Sequence, residues 1–197
     1  MEKYLNVRQL FPSIVADVML DIDLKSIEEY AYDLKSKDEG NTFSNRGGWQ
    51  SNIKSIDLTL DVFKDFEKQL RFYSNVYYKS INGVNNKPII KSLWININST
   101  HSFNLTHTHP NSFLSGVFYV KVPENCGRIC FDHPCATKQH EWQDNDFNEL
   151  NILNCTTYNM EPAENGLILF PGWLPHYVEH NQNKEDRISI SFNIGFE

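Results

Sequence analysis

Residues able to do metal chemistry cluster in the second half of the chain. His107 and His109 flank a threonine in the stretch HTHP, just ahead of the apolar segment SFLSGVFYV. In an extended backbone, residues i and i+2 project to the same face, so both imidazoles can reach one metal ion. A third histidine, His176, follows about 67 residues on, where the turn FPGWLPH delivers it to a short strand. Eleven residues later Arg187 and Ser189 open the segment RISISF and share a face by the same period of two. A guanidinium fork with a hydroxyl beside it suits a carboxylate. The pattern offers a metal-binding pair at His107 and His109 and an anchor for an acid at Arg187 and Ser189; a lone histidine after a turn, as at 176, serves equally as a packed core or turn residue. Imidazoles alone do not choose the metal, since they suit zinc, copper and nickel as well as iron.

These residues need a β scaffold, and the pattern of the chain supplies one. From residue 88 onward, short segments rich in β-branched and aromatic residues alternate with Pro, Gly and Asn clusters: PIIKSLWININ, SFLSGVFYVKV, GRICFDHP, NILNCTTYNMEP, GLILFP, HYVEH and DRISISFNIGF. Before them come an expected strand at Leu10–Leu20, with Pro12 marking an edge, and two expected helices. Asp23 is a suitable N-cap for a helix to about Lys37, with Leu24, Ile27, Ala31 and Leu34 on one face and Gly40 beyond its end. The second runs from about Leu60 to Ser80, where Phe63, Phe66, Leu70, Tyr73 and Tyr77 form a stripe suited to covering a sheet. The Gly-rich stretch 42–52 and the acidic stretch 138–151 read as loops. Helices followed by runs of strands give an α+β class, mainly β, as an antiparallel sandwich or barrel covered on one side by helices. The expected organisation is one domain over residues 1–197, with a helical cover over about 1–87 and a β core over about 88–197.

Composition narrows the partners. The chain has 197 residues, 18 basic and 25 acidic, for a net charge of −7. That balance argues against sequence-independent nucleic-acid binding, which needs a basic face. No apolar run approaches the roughly 20 residues of a membrane span. The opening MEKYLNVRQLFPSIVADVML, charged at both ends and broken by Pro12, does not read as a secretory signal. Cys126, Cys130 and Cys135 are spaced C-x3-C and C-x4-C, with Cys155 apart, which completes no zinc site. Free thiols and a cytoplasmic location, in a bacterial or phage-infected cell, are expected. Antiparallel edge strands permit a homodimer.

Taken in order, these segments resemble the Fe(II)/2-oxoglutarate-dependent dioxygenases, and more narrowly the 2OG-Fe(II) oxygenases of cyanophages and marine bacteria. The resemblance rests on WININ (94–98), HTHPNSFLSGVFYV (107–120), GRICFDHP (127–134), GLILFPGWLPHYV (166–178) and RISISFN (187–193), with NRGGWQS (45–51) upstream, about half the chain. It implies a double-stranded β-helix (a cupin-like jelly roll) with the N-terminal helices packed on one sheet. It also implies Fe(II), 2-oxoglutarate as cosubstrate and O2, and hydroxylation of an unidentified substrate with release of succinate and CO2. By the same resemblance His107 and His176 fall at metal-ligand positions. Arg187, helped by Ser189 and Tyr119, falls where the cosubstrate's C5 carboxylate is bound. The chain departs from the family where a carboxylate is expected, because residue 109 is histidine. Either His109 is the third ligand or Asp132 supplies it from another strand. Trp94, Phe118, Phe170 and Trp173 are candidates for a dry lining, and Asn96, Asn98 and Asn104 for polar contacts. The competing readings are a cupin-like protein that binds a metal or carbohydrate without redox chemistry, and a phage interaction domain with a decayed site. A cupin has no need of a carboxylate anchor at Arg187-x-Ser189, and intact HTH, LPH and RIS segments count against decay.

Overall fold

A computed structural model describes residues 5–6, 8–53, 55–84, 87–135 and 147–197. Most of the expected acidic loop at 138–151 therefore lies outside the described residues. The elements are β1 (Ala16–Met19), α1 (Leu24–Lys37), β2 (Asn45–Arg46), β3 (Trp49–Gln50), α2 (Asp61–Ser80), β4 (Pro88–Asn98), β5 (Phe103–His107), β6 (Leu114–Lys121), β7 (Ile129–Asp132), β8 (Thr157–Met160), β9 (Gly166–Pro171), β10 (His176–Val178) and β11 (Arg187–Phe196). The strands pair antiparallel in two sheets: a major one ordered β1-β9-β6-β11-β4-β3 and a minor one ordered β2-β5-β10-β7-β8. This is the mainly β, double-stranded β-helix arrangement with two helices.

Period-2 alternation sorts each strand of the major sheet into two faces. Leu93, Ile95 and Ile97 of β4, Phe118 of β6, Leu167 and Leu169 of β9, and Ile188, Ile190 and Phe192 of β11 point outward. There they meet Ile27 and Ala31 of α1 and Phe63, Phe66, Leu70 and Tyr77 of α2 in one core. Phe66 and Phe118 touch at a ring-centroid distance of 5.0 Å. The opposite residues face the minor sheet: Val117, Tyr119, Ile168 and Phe170 meet Ile129, Phe131 and Leu174 in a second, smaller core. The polar residues Asn96, Asn98, Arg187 and Ser189 share this inner face and are buried.

The helices follow their sequence signals. The Asp23 carboxylate accepts from the Lys25 N–H at 3.2 Å, capping α1. Beyond the end of α1, Gly40 adopts φ +79°, and a Cβ there would lie 2.6 Å from the Trp49 ring.

Three elements differ from expectation. The first strand is only Ala16–Met19, because Pro12 lacks a ladder N–H and Phe11 sits at φ +58°. The stretch 42–52 is more than a loop, since β2 joins the minor sheet through β5 and β3 joins the major sheet through β4. Strand β5, FNLTH, carries too few apolar residues to announce itself, and its residues are exposed or half-buried.

Candidate functional site

Strand register brings the histidines together. His176 of β10 lies directly between His107 of β5 and Phe131 of β7 in the antiparallel ladder. His109, two residues past His107, is held by its N–H donating to the Gly172 carbonyl at 2.8 Å. Gly172 is required at this contact: a Cβ there would lie 2.4 Å from the Ser112 carbonyl oxygen and 3.0 Å from that of His109. The ring centroids are 4.4 Å apart for His107–His176, 5.0 Å for His107–His109 and 5.1 Å for His109–His176. One nitrogen from each ring falls within 4.8 Å of the others, a spacing that one metal ion can bridge.

Backbone carbonyls orient two of the rings. His107 donates from Nδ1 to the Leu105 carbonyl at 2.7 Å, and His176 from Nδ1 to the Leu174 carbonyl at 2.9 Å. Each bond selects the Nδ1–H tautomer and makes Nε2 the lone-pair nitrogen able to ligate; in His107 that lone pair faces the Ser44 hydroxyl at 3.5 Å. Burial favours the neutral form of all three. It lowers the His107 pKa, and it brings His109 to about 4 and His176 to about 3, with a further contribution from neighbouring histidines. Neutral imidazoles are the ligating form.

Asp132 is not part of this group. Its neighbour Phe131 faces inward, 6.2 Å from the His176 ring, so Asp132 points to the other face of β7. There its carboxylate accepts from the Thr157 hydroxyl at 3.1 Å.

Arg187 lies on the same inner face as the cleft, opposite Asn98 in the β11–β4 ladder, and is 2% exposed. Its Nη1 donates to the Cys126 carbonyl at 2.6 Å and to the Gly127 carbonyl at 3.0 Å. Among the described residues no carboxylate reaches it. Burial therefore pulls its pKa down, offset in part by Tyr119 and Cys126. Ser189 sits between Asn96 and Tyr119 in adjacent strands, and all three line the cleft with Arg187. Burial raises the Tyr119 pKa well above the usual phenol range, keeping its hydroxyl protonated.

The aromatic candidates divide. Trp94 and Phe170 line the cleft, 5.8 Å from the His109 ring and 4.6 Å from the His176 ring respectively. Phe118 faces the helices instead, because it has the opposite strand parity, and Trp173 is 54% exposed. Asn96, Asn98 and Asn104 all line the cleft. The Oδ1 atoms of Asn96 and Asn98 are buried without a hydrogen-bond partner among the described residues. Ser44 and Ser191 also line it and carried no sequence signal of their own. Ser44 accepts from Asn104 at 3.1 Å and lies 3.5 Å from His107 Nε2.

A jelly roll with three convergent imidazoles at its minor sheet, and a buried arginine without a described acidic partner on the major sheet across the cleft, is an arrangement suited to a metal and an acidic cosubstrate. Residues 92–193 match the family model described as "Putative 2OG-Fe(II) oxygenase", and the chain belongs to that family. It is accordingly an Fe(II)- and 2-oxoglutarate-dependent oxygenase, using O2. No curated protein matches the sequence. Solved structures share the fold. The epimerase SnoN of nogalamycin biosynthesis, a non-haem α-ketoglutarate-dependent enzyme, aligns with TM-score 0.65 and 13% identity over 91% of this chain and 77% of its own. A viral collagen prolyl hydroxylase from Paramecium Bursaria Chlorella virus-1, in complex with 2OG, gives 0.60 and 11% over 92% and 96%. A 2OG-Fe(II) oxygenase family oxidoreductase from Burkholderia pseudomallei gives 0.56 and 15% over 91% and 84%. At these identities the likeness is one of fold.

Proposed function

We propose that His107, His109 and His176 hold the Fe(II), and that Arg187, with Ser189 and Tyr119, anchors the C5 carboxylate of 2-oxoglutarate in a hydroxylase-type reaction. The observation that carries this reading is the buried Arg187, which has no acidic partner among the described residues of the cleft that the three imidazoles share. The donor set fits the metal: three neutral nitrogens, two of them already oriented by backbone carbonyls. When bound, the metal supplies activation of O2 coupled to decarboxylation of 2-oxoglutarate to succinate and CO2.

The chain's own contribution is binding and exclusion. Arg187 keeps one edge committed to the Cys126 and Gly127 carbonyls, which fixes the guanidinium plane and leaves its remaining N–H groups for the acid. The hydroxyls of Ser189 and Tyr119 donate to the same carboxylate. Trp94 and Phe170 keep water from the reacting side of the metal. Asp132 has no place in this reading.

The whole chain acts as one domain, because the helices and the outer face of the major sheet share one core. The free state of Cys126, Cys130, Cys135 and Cys155 favours a reducing cytosol. Among the described residues, no helix is long and apolar enough to cross a membrane. The acidic net charge argues against non-specific nucleic-acid binding, and the edge strand β1 leaves room for a homodimer. The reaction is tested by succinate release from 2-oxoglutarate with Fe(II) and ascorbate, with and without candidate substrates. Absence of succinate under all conditions, from protein shown to hold iron, refutes it.

A further inference from the structure

We infer that the substrate carries a negatively charged group of carboxylate type, which binds beside the metal and completes the charge of the site. The inference rests on the proposed ligand set and cosubstrate anchor, and adds the substrate's chemical class.

Charge carries the argument. None of the described residues lining the cleft is an aspartate or glutamate, and its one permanently charged side chain is Arg187. The three imidazoles are neutral ligands. Charge does not reach the metal through their partners either, because His107 and His176 donate to backbone carbonyls and not to carboxylates. Among the described residues, two acids on the strands or turns beside the site are engaged elsewhere. Asp132 is on the far face of β7 with Thr157, and Glu179 is bound to Arg128 at 2.7 Å.

A divalent metal and the guanidinium together carry three positive charges, and 2-oxoglutarate brings two negative ones. One positive charge is left over in a cleft whose lining includes Trp94 and Phe170. A 2-His-1-carboxylate site would have cancelled it with its own acid. A desolvated excess charge costs far more than a solvated one unless a counter-charge joins it. The overall charge of −7 opposes anions at long range, so selection falls to this local excess within the cleft. A substrate carboxylate meets the need, and a neutral amide of the same shape does not.

The test titrates the Fe(II)- and 2-oxoglutarate-loaded protein, kept free of oxygen, with acetate and with acetamide by calorimetry. Acetate should bind at least about tenfold more tightly than acetamide. His109→Asp restores a carboxylate to the ligand set and should lower acetate affinity about tenfold, with 2-oxoglutarate affinity retained. His109→Asn, neutral and of similar size to aspartate, should keep the preference for acetate. Equal binding of acetate and acetamide overturns the inference, as does an unchanged acetate affinity in His109→Asp. Failure of the wild-type protein to take up Fe(II) or 2-oxoglutarate is a separate outcome, read before any acetate is added. It overturns the proposed site itself and this inference with it.

Discussion

Replacing Arg187 with methionine separates cosubstrate binding from metal binding and from folding. Methionine keeps most of the buried volume of a side chain that is 2% exposed, and removes only the charge and the donors. Truncating one partner of a buried, hydrogen-bonded charge pair costs about 2–5 kcal/mol, so 2-oxoglutarate affinity should fall between about 30-fold and about 5,000-fold. The metal affinity should stay within about threefold, because Arg187 touches none of the three imidazoles.

Stability of the unliganded protein should change little. The Cys126 and Gly127 carbonyls lose a donor, at about 1–3 kcal/mol for an unsatisfied acceptor. Against this, a buried cation without an acidic partner no longer has to be desolvated, an opposing effect of similar size. At a cosubstrate concentration 100 times the wild-type Kd, binding stabilises the native state by about 2.7 kcal/mol. A 100-fold weaker variant at the same concentration gains only about 0.4 kcal/mol. The assay is an anaerobic titration of metal-loaded protein with 2-oxoglutarate, paired with thermal unfolding with and without the cosubstrate. A cooperatively folding variant whose 2-oxoglutarate Kd and ligand-induced Tm shift match wild type refutes the role of Arg187.

His176→Ala should abolish stoichiometric Fe(II) binding while cooperative unfolding survives, since the lost contacts are to Phe131 and Phe170 in the smaller core; normal iron content in the folded variant removes His176 from the site. The buried imidazoles also set a pH dependence. Their pKa values are lowered in the native state, so the unfolded chain binds protons first, and metal-free stability should fall as pH drops from about 6.5 toward about 4 for His109 and about 3 for His176. Each contributes up to about 1.4 kcal/mol per pH unit in its window, and the measurement is chemical denaturation of metal-free protein between those limits. A flat profile there would contradict neutral, buried histidines. Gly172→Ala drives a Cβ to 2.4 Å from the Ser112 carbonyl. It should cost about 1–3 kcal/mol of stability and weaken metal binding by displacing His109, which isothermal titration with Fe(II) would detect.

Local pattern sufficed for much of this molecule. The 3.6-residue stripe from Phe63 to Tyr77 placed α2, and Asp23 placed the start of α1, because both signals lie within one helix. The alternation in RISISFN determined that Arg187 and Ser189 share a face, whichever strands lie beside them. The histidine types and their order were legible for the same reason.

What stayed hidden depends on contacts between distant segments. Strand β5 is polar, and β2 and β3 are two residues long, so only their partners define them. Phe118 and Phe170 look alike in sequence, yet one covers the helices and the other lines the cleft, according to which face of the major sheet each occupies. The direction in which Asp132 points was hidden for the same reason. Alternation alone says that Phe131 and Asp132 point in opposite directions, but not which of them points inward. The pairing of Phe131 with His176 decides it, and a register is set by burial across the whole sheet and not by any one strand.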